Sequence, residues 1–148
     1  MCAEGQFLVG HVGLDLIRES GLDPNHVGGL TMGADPVAYA IAHRSWLAGP
    51  PVDAFSVRKK AKEHGTGQRI EGGLPSDAVC ILVEDSMTTG SSALAAAEAI
   101  REHGATIAGV FTLVDRGEGG AELLAAAGYR LIAGFSGPEL LEAARRRA

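Results

Sequence analysis

The sequence predicts an α/β fold, with a central parallel sheet of about five strands flanked by helices. Three observations carry that expectation. Short apolar segments alternate with stretches of helical periodicity, the pattern of right-handed βαβ crossovers. Val79-Cys80-Ile81-Leu82-Val83 is an unbroken apolar run, as a strand buried on both faces requires. Glycine supplies 21 of the 148 residues in a chain rich in Ala, Val and Leu, which suits tight strand-to-helix turns. The length fits one domain over 1–148.

The elements follow in order. Residues 4–20 set Phe7, Val9, Val12, Leu16 and Ile17 at near-helical spacing, and Gly21 stops that helix. His26–Leu30 reads as a short strand entering a glycine-flanked turn. Asp35-Pro36 opens the next helix, with Pro at its first position, and the helix runs to about Leu47. Gly49-Pro50-Pro51 breaks the chain, and Trp46 reads as packing at the helix end. Asp53–Val57 is a strand. The segment 58–77 is polar, basic and glycine-bearing, and reads as a flexible loop. After the strand Val79–Val83 come a helix over Ser91–His103 ending at Gly104, a strand over Thr106–Val114 and a helix over Ala121–Ala127 closed by Gly128. A short strand over Arg130–Phe135 and a terminal helix over Pro138–Arg147 complete the chain, with Arg145, Arg146 and Arg147 at the helix's negative end.

Composition excludes several classes. Lys and Arg total 13 against 18 Asp and Glu, a net charge of −5, so there is no basic excess to neutralise a nucleic-acid backbone. No run approaches about 18 apolar residues, the length a membrane span needs. The N-terminus lacks a basic stretch followed by an apolar one, so it does not read as a signal peptide. Cys2 and Cys80 suggest neither a disulfide framework nor a zinc site. Cys80, inside the apolar run, reads as a small buried hydrophobe, and a reducing cytoplasm is the expected compartment. His11, His26, His43 and His103 show no metal-ligand spacing and read as surface or half-buried residues.

The strongest feature is Glu84-Asp85-Ser86-Met87-Thr88-Thr89-Gly90-Ser91-Ser92, directly after the apolar strand. Two adjacent carboxylates precede a short loop of hydroxyl residues and Gly, which opens a helix. Backbone N–H groups from Met87 to Ser91, the hydroxyls of Thr88, Thr89, Ser91 and Ser92, and the helix dipole are suited to cradle a phosphate. Gly90 admits the anion without a side-chain clash. Glu84 and Asp85 are suited to accept hydrogen bonds from a sugar diol and to hold Mg²⁺ through water. Taken piecewise, the same features occur at an ordinary strand end with a capped helix. The run is not a Walker A loop.

The second feature is Arg58-Lys59-Lys60-Ala61-Lys62-Glu63-His64-Gly65, followed by Gly67. Cations on a loop with glycine hinges suit closure over a densely negative substrate and stabilisation of a leaving diphosphate. A solvated charged loop is the plainer alternative. Arg116, after the strand that ends at Val114, presents a guanidinium that suits bidentate binding of a carboxylate, and Asp115 beside it suits a turn cap.

Together these strings resemble the type I phosphoribosyltransferases. Glu84–Ser92 is similar to their phosphoribosyl-diphosphate signature. Arg58–Gly65 with Ile70-Glu71-Gly72, and Val114-Asp115-Arg116, are similar to the orotate phosphoribosyltransferases, and Gly28–Pro36 resembles their pyrophosphate loop. The resemblance spans roughly residues 8–135.

It implies a Rossmann-like fold and transfer of phosphoribosyl from 5-phosphoribosyl 1-diphosphate to orotate, giving orotidine 5′-phosphate and diphosphate in pyrimidine synthesis. It implies Mg²⁺ as cofactor, bound mainly through the substrate. It implies a homodimer with shared active sites, and no nucleic-acid or membrane partner. By resemblance, Arg58, Lys59, Lys62 and His64 contact the diphosphate, with Lys59, Lys62 and Asp85 catalytic. Glu84, Asp85, Ser86, Met87, Thr88, Thr89, Gly90, Ser91 and Ser92 hold the phosphoribosyl group, and Thr88 and Arg116 bind orotate.

Two departures stand out. The family's N-terminal hood over the base has no match before the first helix, so a shortened chain is expected. Many relatives carry Lys where this chain has Met32 or Gly33. A phosphoribosyltransferase for another base, and a non-catalytic relative that binds phosphoribosyl diphosphate or a nucleotide, are the alternatives.

Overall fold

The computed structural model describes residues 2–60 and 69–146. Helix α1 (Ala3–Glu19) leads into strand β1 (His26–Leu30), helix α2 (Ala34–Ala48) and strand β2 (Asp53–Val57). A two-residue strand β3 (Ile70–Glu71) precedes β4 (Val79–Met87), α3 (Ser91–His103), β5 (Thr106–Asp115), α4 (Gly120–Ala126), β6 (Leu131–Ser136) and α5 (Gly137–Arg145).

The strand order is β3-β2-β1-β4-β5-β6. All neighbours are parallel except β2 and β3. The sheet therefore has six strands among the described residues, against an expectation of about five. The added strand is an antiparallel edge, Ile70 and Glu71 against Val57 and Ser56. It lies within the segment expected to be loop over 58–77. Leu74, later in that segment, is also buried.

Most boundaries fall where the sequence sets them, because glycines impose them. Gly21, Gly104 and Gly128 adopt positive φ after α1, α3 and α4, a conformation that ends a helix cheaply only for Gly. Several ends shift by a residue or two, and two of the differences have a clear physical cause. Helix α2 begins at Ala34, so Pro36 is its third residue, where the first-turn N–H groups still need no intrahelical partner. Strand β4 continues through Met87 because β5 keeps pairing with it, Glu84 opposite Thr112 and Met87 opposite Asp115.

Each sheet face carries its own apolar cluster. On one face α1 and α2 pack with Leu14, Ile17, Ile41, Ile81, Val83 and Phe111. On the other, α3 and α4 pack with Phe55, Leu82, Ala96, Ile100, Val110 and Leu124. The alternation of Ile81 and Val83 with Cys80 and Leu82 is what a strand covered on both faces produces. Cys80 is fully buried and its thiol pKa is pushed up to about 12 by burial, as expected for a packing residue. Trp46 is 75 % exposed, which corrects its expected packing role. Phe7 and Leu8 of α1 and Leu47 of α2 are exposed as well. No helix among the described residues is long and apolar enough to cross a membrane.

Candidate active site

In a parallel sheet, ligands bind beyond the carboxyl ends of the strands, at the point where the strand order reverses. Here the chain builds β2 and β3 on one side of β1 and β4, β5 and β6 on the other. The switch point lies between β1 and β4, and the candidate residues gather at their tips.

From β1, the chain runs through Leu30, Thr31, Met32 and Gly33 into α2. Thr31 N–H donates to the Val57 carbonyl at 2.8 Å, which ties this loop to the end of β2. Gly29 allows the strands to approach: a Cβ there would lie 2.0 Å from the Val83 carbonyl oxygen. Gly33 lies against the Asp85 carboxylate in the same way. The loop after β1 and the Asp85 carboxylate of β4 thus form one surface.

Glu84 and Asp85 lie within β4, which continues past them through Ser86 to Met87, and they differ. Glu84 is 8 % exposed and Asp85 is open to solvent. Burial, reinforced by the neighbouring Asp85 charge, pushes the Glu84 pKa up to about 7. Asp85 Oδ1 accepts from the Ser86 N–H at 2.9 Å. Met87 is buried in the core, so its side chain packs while its carbonyl serves the next loop.

Thr88, Thr89 and Gly90 connect β4 to α3. Gly90 adopts φ +77° and no side chain caps α3. Its first-turn N–H groups therefore face outward without an internal acceptor, which suits an anion. The hydroxyls of Thr89 and Ser91 lie 3.0 Å apart on this exposed rim, and Ser92 is exposed beside them. By contrast, α1 is capped by Cys2 and α5 by a capping box between Ser136 and Glu139.

Arg116 reaches the same rim from β5. Its N–H donates to the Met87 carbonyl at 3.0 Å, which places the loop after β5 beside Thr88. Asp115 Oδ1 accepts from the Gly117 N–H at 2.9 Å, a turn cap. The Arg116 guanidinium pairs with Glu118 at 2.9 Å, and both side chains are about half exposed. Such a pair is worth at most about 1 kcal/mol, so a substrate carboxylate could replace Glu118.

Arg58 and Lys59 lie at the end of β2 and line a cleft of about 690 Å³ with Thr31, Asp35 and Ser56. Arg58 pairs with Glu71 of β3 at 3.0 Å. Lys62 and His64 lie outside the described residues. Sequence reasoning missed a network in this cleft: Ser56 Oγ donates to Asp35 Oδ1 at 2.7 Å, and the Tyr39 hydroxyl lies 2.9 Å from Ser56 Oγ. The four-residue spacing of Asp35 and Tyr39 on one helix face was the available signal.

Among the described residues, no group of three His, Cys, Asp or Glu side chains could hold a metal ion directly. The exposed Asp85 carboxylate next to Glu84 fits a hydrated cation whose other ligands come from a substrate.

Two uncapped or glycine-opened loops flanking a carboxylate pair at a switch point form the build of a phosphoribosyl-binding α/β protein. The profile of the family described as Phosphoribosyl transferase domain matches residues 7–128. The orotate phosphoribosyltransferase of Aquifex aeolicus is 48 % identical over 139 residues, covering 93 % of this chain and 74 % of that protein. That of a Bradyrhizobium species is 45 % identical over 145 residues, covering 95 % and 77 %. The orotate phosphoribosyltransferase of Mycobacterium tuberculosis, solved in complex with 5-phospho-alpha-D-ribosyl 1-diphosphate, superposes with a TM-score of 0.81 at 41 % identity, covering 91 % of this chain and 75 % of that one. The chain belongs to the orotate phosphoribosyltransferase family.

Proposed function

We propose that this chain transfers a phosphoribosyl group from 5-phosphoribosyl 1-diphosphate to orotate. The observation that carries the reading is the junction at the switch point, where Gly33 seats the loop after β1 on Asp85, in the strand that leads into the uncapped start of α3.

In this reading the N–H groups and hydroxyls from Thr88 to Ser92 hold the 5′-phosphate, which places the ribose over β4. Glu84 accepts hydrogen bonds from the ribose hydroxyls. The orotate ring nitrogen donates its electron pair to the anomeric carbon as the bond from that carbon to the diphosphate oxygen breaks. Positive charge develops on the ribose ring, and the exposed Asp85 carboxylate faces it. Arg58, Lys59, Lys62 and His64 bind the departing diphosphate, with Lys59 and Lys62 stabilising its growing charge. The Thr31–Gly33 backbone supports it from the other side. Arg116 and Thr88 hold the orotate carboxylate and so set the base. Glu84 and Asp85 would hold a magnesium ion through water, and the ion would supply neutralising charge to the diphosphate. Most of the acceleration comes from positioning and fixed charge.

Homodimerisation with shared sites belongs to the same proposal, supported by the exposed apolar side chains of α1 and α2. So does a cytoplasmic location, which suits a buried free thiol at Cys80. A panel of bases tests the reading: diphosphate release with orotate, and none with adenine, hypoxanthine or uracil, is the expected outcome. Release with another base and none with orotate overturns it.

A further inference from the structure

We propose that Asp35, Ser56 and Tyr39 form a positioning network that holds the loop after β1 and the base of the basic segment in one frame for diphosphate binding. The proposal rests on the transferase reading of this cleft.

Asp35 is out of character there. It is a half-buried carboxylate lining a cleft shared with Arg58 and Lys59, and its charge opposes an anionic ligand. Ser56 is also unexpected, as a buried hydroxyl between Phe55 and Val57 on an otherwise apolar strand end. A buried hydroxyl is costly unless it is bonded, and packing alone would favour an apolar residue. Each anomaly accounts for the other.

The proton assignments follow from chemistry. Ser56 has one O–H, and it goes to Asp35 Oδ1 at 2.7 Å. The Tyr39 hydroxyl, 2.9 Å away, must then donate to Ser56 Oγ. The hydrogen bonds run in one direction, Tyr39 to Ser56 to Asp35, and end on the carboxylate, where they are strongest. Asp35 and Tyr39 sit one turn apart on α2 and straddle Ser56. Ser56 itself is in register with Gly29 of β1 and Glu71 of β3. One residue further, the Thr31 N–H bonds to the Val57 carbonyl. The network therefore joins the exit of the loop after β1 to the strand that delivers Arg58 and Lys59.

The test uses the full chain with magnesium and inorganic diphosphate in calorimetry, beside KM for orotate and Tm. Ser56→Ala is expected to weaken diphosphate binding about tenfold, the ratio one lost hydrogen bond of ordinary strength produces, with KM for orotate within about twofold of the parent, and Asp35→Ala to bind diphosphate about tenfold more weakly than Asp35→Asn, which lacks the same charge. Ser56→Thr should restore binding. Asp35→Asn, which keeps an acceptor and removes the charge, should bind diphosphate at least as tightly as the parent. Tyr39→Phe, at a half-exposed site, provides the measurement if Ser56→Ala fails to fold, with a smaller loss in the same direction. A diphosphate affinity of Tyr39→Phe equal to the parent, with that of Asp35→Ala equal to Asp35→Asn, overturns the proposal. So do losses that follow Tm and fall equally on orotate. A parent that binds diphosphate without turning over orotate contradicts the functional reading and leaves the titration to decide this one. A parent that binds no diphosphate contradicts both.

Discussion

A Cβ on Gly33 would stand 2.7 Å from Oδ1 of Asp85 and 2.9 Å from its Cγ and Oδ2. The first residue before α2 thus rests on the carboxylate assigned to face the reacting ribose. Gly33 has φ −61° and ψ −46°, a conformation alanine adopts without strain. Gly33→Ala should therefore leave Tm within about 3 °C while displacing the Asp85 carboxylate. Turnover should fall about tenfold or more, since small misplacements at reacting groups are costly. Steady-state kinetics beside thermal denaturation checks both halves.

Glu84 should make the protein pH-sensitive. Its pKa is raised from 4.5 to about 7, by burial first and by the Asp85 charge second. The folded chain thus holds this proton more tightly than the unfolded one. The stabilisation is complete below pH 4.5 and is lost as pH rises through 7. Glu84→Gln does not lose it, so above pH 7 the variant should be more stable relative to the parent than at pH 4.5, by ~2 kcal/mol after allowance for partial solvent access. Urea denaturation at pH 4.5 and pH 8 measures the difference. A sugar diol donates to the ionised form, so substrate affinity of the parent should weaken as pH falls below 7, with up to one proton released on binding.

Arg116→Ala should act on the base alone. Loss of a bidentate guanidinium–carboxylate contact is worth ~2 kcal/mol, about thirtyfold in KM for orotate, with KM for phosphoribosyl diphosphate unchanged. Glu118→Ala frees Arg116 from an exposed pair and should leave KM for orotate the same or lower. Initial-rate kinetics with each substrate varied in turn separates these effects.

Gly29→Ala should instead break the fold locally. Its Cβ would meet the Val83 backbone carbonyl at 2.0 Å, and backbone in a paired strand cannot swing aside as a carboxylate does. The cost should be at least ~3 kcal/mol, seen as a lowered urea midpoint.

The sequence already contained much of this architecture, and particular residues explain where it did not. His26–Leu30, Asp53–Val57 and Ser91–His103 matched because Gly104, the Gly49-Pro50-Pro51 break and apolar content mark their ends locally. The continuation of β4 through Ser86 and Met87 was hidden because residues leading into Thr88-Thr89-Gly90 read as loop, and only pairing with β5 keeps them extended. Strand β3 has two residues and exists through contact with β2, so no local pattern announces it. The phosphate-loop residues were readable as a contiguous string. Asp35 and Ser56 were not, because 21 residues separate them and their hydrogen bond depends on sheet register.

Transfer to orotate is decided by the loss of orotate absorbance on addition of phosphoribosyl diphosphate and magnesium. The expected loss requires both additions, yields one diphosphate per orotate consumed, and is reduced by Asp85→Asn at unchanged Tm. Orotate absorbance that stays constant with the folded, diphosphate-binding chain would contradict it.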